Sequence, residues 1–116
     1  MTALVLRRRL QRAGAHVVGA TNGHDALAIL RKKAHETPYA AVVVDWHLES
    51  MGGDGMLNAT AWLERPPPVI ALTWDRAEQE DALTLGAAAA IVWPVGDAQL
   101  RNALRAAPQF AVAAAR

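Results

Sequence analysis

Asp45 is the residue best placed to do chemistry. It ends the run Tyr39-Ala40-Ala41-Val42-Val43-Val44-Asp45, whose β-branched stretch without polar alternation predicts a parallel strand covered on both faces. In open α/β sheets, ligands and reactive groups sit just outside the carboxyl ends of the strands. A carboxylate there can act as a nucleophile or hold a cation. The plainer reading is that Asp45 caps a turn or the next helix, and the residue alone does not separate the two. Behind it comes the loop Trp46-His47-Leu48-Glu49-Ser50-Met51-Gly52-Gly53-Asp54-Gly55. A second strand, Val69-Ile70-Ala71-Leu72-Thr73, ends in a hydroxyl, and a third, Ala89–Val92, runs into Trp93-Pro94.

The elements that must hold these groups alternate along the chain. Ala3, Leu6, Leu10 and Ala13 recur at helical spacing between arginines, and Gly14 stops that helix. Ala15–Ala20 reads as a short strand. Asn22-Gly23 turns into a helix near His24–Ala34, with Ala26, Leu27, Leu30 and Ala34 inward. A helix from about Gly55 to Leu63 follows the Asp45 loop and is ended by Pro66-Pro67-Pro68. Asp75 caps a helix to Leu85, closed by Gly86 in a left-handed conformation. Asp97–Ala106 is the last helix, with Leu100, Ala103, Leu104 and Ala107 on one side. Such alternation predicts an α/β fold: a parallel sheet with helices on both faces.

The totals narrow the class. With 116 residues, the chain makes one domain. Apolar residues make up 53% and charged residues 20%, which argues against disorder, and a net charge of +1 gives no strong pull toward nucleic acid or acidic lipid. Cysteine is absent, which excludes disulfides and thiolate ligands. No apolar run approaches a membrane span. A cytoplasmic domain, or a piece of a larger cytoplasmic chain, is the expectation.

Taken in order, these residues resemble the receiver domain of two-component response regulators and hybrid histidine kinases, a CheY-like, flavodoxin-like fold. Val43-Val44-Asp45 is similar to the phospho-acceptor strand, and Asp54-Gly55 to the acidic-glycine pair opening the third helix. Val69–Thr73 resembles the strand that ends in the switch threonine. Leu85-Gly86-Ala87 followed by Trp93-Pro94-Val95 resembles the stretch that normally ends in lysine-proline. Ala20-Thr21-Asn22-Gly23-His24-Asp25-Ala26-Leu27 resembles the entry to the second helix, and Leu4-Val5-Leu6-Arg7-Arg8 is most similar to hybrid-kinase receivers. The resemblance covers about residues 1–107, leaving 108–116 as an alanine-rich tail, linker or extra strand. It implies a phosphorelay module, not an enzyme, with Asp45 as the nominal phospho-acceptor and Thr73 as the switch hydroxyl. It also implies Mg2+ held by Asp45, by the backbone carbonyl of His47 and by an acidic pair after the first strand. The implied partner is a histidine kinase or phosphotransfer protein, with homodimers among the family's assemblies and neither nucleic acid nor membrane engaged by this domain. Because the family's lysine-proline bond is usually cis, the resemblance implies a cis Trp93–Pro94 bond.

Four departures weaken that chemistry. The chain begins at the family's first helix, so the first strand and its acidic pair have no counterpart at the start. Trp93 stands where a lysine would pair with the phosphoryl oxygens, and Ala90 stands where the switch aromatic would be. The loop from Asp45 to Asp54-Gly55 is about two residues longer than usual. Losing a metal site and a cation removes most of the electrostatic stabilisation of phosphoryl transfer. A degenerate receiver acting as an interaction module is therefore the leading expectation. The alternatives are a working receiver whose acidic pair is supplied upstream, and an unrelated flavodoxin-like small-molecule-binding protein or enzyme. The absent first strand would leave a gap in the centre of the sheet. The neighbouring strands could close up, another copy could donate a strand, or the tail Phe110–Ala115 could fill the slot.

Arg7, Arg8, Arg9 and Arg12 read as a solvated helix face. His16, His24, His35 and His47 share no metal-ligand spacing, so zinc is not indicated. Of the four tryptophans, Trp62 reads as core. Trp46, Trp74 and Trp93 follow strand ends, where plain packing competes with an apolar roof or a partner patch.

Overall fold

The computed structural model describes residues 3–12, 17–20, 22–33, 39, 41–47, 51–94, 96, 98 and 110–113. In chain order the elements are α1 (Ala3–Arg12), β1 (Val17–Ala20), α2 (Gly23–Lys33), β2 (Val42–Asp45), α3 (Gly52–Ala61), β3 (Val69–Thr73), α4 (Arg76–Thr84), β4 (Ala89–Val92) and β5 (Phe110–Ala113). The expected Ala15-His16 start of β1 lies outside the described residues, as does the expected helix over 97–106, apart from Ala98.

The five strands form one parallel sheet in the order β1-β5-β2-β3-β4. Of the three ways to close the central gap, the sheet takes the tail. Phe110–Ala113 pairs with Val17–Ala20 on one side, and Ala111–Ala113 pairs with Val42–Val44 on the other. A buried ladder edge would leave N–H and C=O groups unsatisfied at roughly 1–3 kcal/mol each, so an extended backbone in this slot is strongly favoured.

Strand alternation divides the core between two faces. Val42, Val44, Val69 and Ala71 join Ala26, Leu27 and Leu30 of α2, Met56 and Leu57 of α3 and Ala82 of α4 in one cluster. Val43, Ile70 and Leu72, all buried, occupy the alternate positions, and α1 supplies the fully buried Leu10. All residues of β2 and β3 are buried, as their unbroken apolar runs predict. Helix α2 is capped by Asn22, whose Oδ1 accepts the Asp25 N–H at 2.8 Å. Asp75 caps α4 by accepting the Glu78 N–H at 2.8 Å, and Gly86, at φ 111°, ends the turn after α4.

Two expectations need correction. Helix α3 starts at Gly52, not near Gly55, and ends at Ala61 instead of Leu63. The glycines, read as loop, allow the early start: a Cβ on Gly53 would stand 2.5 Å from the Trp46 ring, so only glycine lets the helix approach β2 this closely. Trp62 is not core; it is 84% exposed. The inward residues of α3 are Gly53, Met56, Leu57 and Thr60 at helical spacing, and Trp62 falls off that stripe.

Candidate functional site

The site lies at the carboxyl ends of β2, β3 and β4. Asp45 is only 7% exposed. Its Oδ1 accepts the His47 N–H at 2.9 Å, so the carboxylate closes an Asx turn at the strand end. The turn-capping and functional readings of Asp45 therefore coexist in one geometry. The ladder continues past the carboxylate, with Trp46 N–H donating to Leu72 O at 2.8 Å. Gly53 N–H donates to Trp46 O at 3.0 Å, which fastens the start of α3 to the acceptor strand.

Thr73 ends the neighbouring strand and is fully buried. Its hydroxyl donates to Ile91 O at 3.1 Å, so it is engaged with β4. Trp93 N–H donates to Thr73 O at 2.7 Å, bringing the residue at the lysine position beside the threonine. The Trp93–Pro94 bond is cis, as the resemblance implied. The Trp93 ring lies under the guanidinium of Arg9 from α1, 5.4 Å from ring centroid to Cζ. Ala90 offers no aromatic ring; its carbonyl accepts Gln79 Nε2 at 2.8 Å, tying α4 to β4.

Sequence reasoning missed Glu78. Its Oε2 stands 2.5 Å from His47 Nε2, and its Oε1 accepts the Trp74 N–H at 2.7 Å. The Asp75-Arg76-Ala77-Glu78 spacing is that of a capping box, and this signal could have identified Glu78 as a residue that folds back on the preceding loop. Trp74, 63% exposed, stacks on the His47 ring with centroids 4.0 Å apart. Trp46 is partly buried and packs against the core cluster, so plain packing accounts for it.

Among the described residues, the donor set expected for the family's metal is incomplete. Mg2+ takes oxygen ligands in near-octahedral geometry, usually one or two carboxylates together with waters and substrate phosphate. No group of three His, Asp or Glu side chains that could hold a metal occurs among the described residues. The strand filling the slot beside β2 belongs to a segment, Phe110–Arg116, without any Asp or Glu. Among the described residues, the expected set is represented by the Asp45 carboxylate, with the His47 carbonyl beside it in sequence.

Known structures share this fold. The receiver domain of the sensor histidine kinase PA1611 from Pseudomonas aeruginosa, solved with magnesium coordinated in its active-site cleft, superposes with a TM-score of 0.73 at 24% identity, covering 88% of this chain and 84% of that one. The receiver domain of the Francisella response regulator 1452 gives 0.72 at 19% identity, covering 89% and 84%. The phosphorylated cyanobacterial phytochrome response regulator RcpA gives 0.67 at 21% identity, covering 89% and 83%. No curated protein matches the chain. The response regulator receiver domain profile matches residues 1–105. The chain therefore belongs to the response regulator receiver family, a class of two-component signalling modules that interact with histidine kinases and phosphotransfer proteins and bind Mg2+ in the active site. Strand β5 lies beyond the matched residues.

Proposed function

We propose that this receiver is a regulatory interaction module of a two-component system whose output does not depend on Mg2+-assisted phosphorylation of Asp45. The observation that carries this reading is the identity of the strand beside Asp45. β5 occupies the slot next to β2, and no residue from Phe110 to Arg116 can supply the acidic pair. Trp93 adds a second deficit, since an indole cannot place a positive charge against phosphoryl oxygens. Phosphoryl transfer relies on positioning and electrostatic stabilisation, and both deficits fall on the electrostatic part. The protein is then not an enzyme. It binds a histidine kinase or phosphotransfer protein in the cytoplasm and engages neither nucleic acid nor membrane. The absence among the described residues of any helix long and apolar enough to cross a membrane is compatible with that place.

The test is incubation with acetyl phosphate or phosphoramidate and Mg2+, followed by intact mass, on wild type and Asp45→Asn. We expect no phosphoryl adduct on folded wild-type protein. An adduct on wild type that disappears in Asp45→Asn overturns the reading and makes this a working receiver.

A further inference from the structure

A single side chain fastens the loop after the acceptor strand to the first turn of α4. His47 donates its backbone N–H to Asp45 Oδ1 at 2.9 Å, while its Nε2 meets Glu78 Oε2 at 2.5 Å. Its ring stacks on Trp74, with 28° between the planes. Glu78 is itself held twice: Oε1 accepts the Trp74 N–H at 2.7 Å, and its N–H donates to the capping Asp75 Oδ1 at 2.8 Å. A continuous set of contacts therefore runs from the Asp45 carboxylate through His47 and Glu78 into the N-terminal turn of α4. One residue further on, Gln79 binds the carbonyl of Ala90 in β4.

We propose that His47 is a positioning residue that couples the Asp45 carboxylate to the first turn of α4, in a receiver that has alanine at the switch-aromatic position. The physical basis is that His47 is constrained at both ends. Its amide is placed by the carboxylate oxygen, and its imidazole is placed by Glu78 and Trp74. A carboxylate oxygen withdrawn from the His47 amide lets the backbone at His47 shift. From a shifted backbone the ring cannot keep both the Glu78 contact and the Trp74 stack. Glu78 then loses one of the partners that hold the turn, and α4 opens more readily at its N-terminus. The route needs no phosphoryl group: any change that removes the acceptor at Asp45 is an input. It therefore stands or falls independently of the function proposed above.

Amide hydrogen exchange tests it on the whole chain, in wild type, Asp45→Ala, Asp45→Asn, His47→Ala and the Asp45→Ala/His47→Ala double variant. Asp45→Ala removes the acceptor, whereas Asp45→Asn keeps a side-chain oxygen for the His47 amide. We expect Asp45→Ala and His47→Ala each to speed exchange at residues 74–79 by about three- to tenfold. The double variant should exchange no faster than His47→Ala alone, because the route is already cut. Asp45→Asn should stay near wild type. A merely structural role for His47 would not make the Asp45→Ala effect depend on it. Wild-type exchange at residues 74–79 in Asp45→Ala overturns the proposal, as do effects that multiply in the double variant or equal acceleration by Asn and Ala at position 45.

Discussion

The two halves of the sheet are built on different grounds. In β2 and β3, side chains specify the strands: Val42–Val44 and Val69–Leu72 are apolar without interruption, and every residue of both strands is buried. Their pairing from Val42↔Val69 to Asp45↔Leu72 sets Asp45 and Thr73 at adjacent strand ends. In the β1–β5 half, the central strand is Phe110-Ala111-Val112-Ala113, drawn from an alanine-rich tail. Its claim on the slot is a backbone claim, resting on two parallel ladders. The difference separates fold from chemistry within a single position of the sheet. Any extended segment that satisfies the ladders completes the fold, but only a strand followed by carboxylates completes a metal site. Asp45 lies one position beyond the last β2–β5 pair, Val44↔Ala113, and so feels that deficit directly.

Removing residues 109–116 should have the largest effect on the sheet. The deletion uncovers four register pairs with β1 and three with β2. At roughly 0.5–1.5 kcal/mol of net stability per hydrogen bond, the loss is on the order of 5 kcal/mol, comparable to the whole stability of a small domain. Circular dichroism should show loss of cooperative thermal unfolding, and a peptide of residues 108–116 added in trans should restore it. A shortened chain that unfolds like wild type would mean that the remaining strands close the gap without β5. The next effect belongs to the other half. Leu72, 1% exposed in β3, should cost about 2–4 kcal/mol when changed to Ala, because a buried cavity replaces packed methyl groups. The denaturant midpoint should fall with an unchanged slope. A loss below about 1 kcal/mol would contradict the assignment of that half as the tightly packed one.

Legibility followed the same division. Strands β3 and β4 run as read, because β-branched runs and punctuating prolines and glycines leave few alternatives for Val69–Thr73 and Ala89–Val92. Asp45, Thr73 and Trp93 are singled out by strand ends and the family resemblance, and the structure places all three at the carboxyl ends of neighbouring strands. The place of the tail was open, because Phe110-Ala111-Val112-Ala113 has no side-chain pattern that sets it apart from linker. What placed it was the need of two other strands for a partner, which is a tertiary demand. Glu78 escaped notice for a related reason. It lies on a helix with an exposed polar face, and only the fold brings His47 within reach of it.

Trp62 shows how far the helical period can be trusted over residue type. A large aromatic beside Leu63 and at the end of a short helix invites a core assignment. Yet the inward stripe Gly53, Met56, Leu57 and Thr60 continues to Leu63, which packs against the core cluster, while Trp62 stands two residues past Thr60, about 200° around the helix axis. Its backbone, at φ −90° and ψ 0°, has already left the helix. Trp62→Ser should therefore change stability by less than about 0.5 kcal/mol, the smallest effect expected here. It should also reduce the solvent-exposed component of the tryptophan emission while leaving the component from the partly buried Trp46 and Trp93 in place. A loss of 2 kcal/mol or more, roughly what emptying an aromatic core position would cost, would show that the ring packs inward in solution and that the period misplaces it.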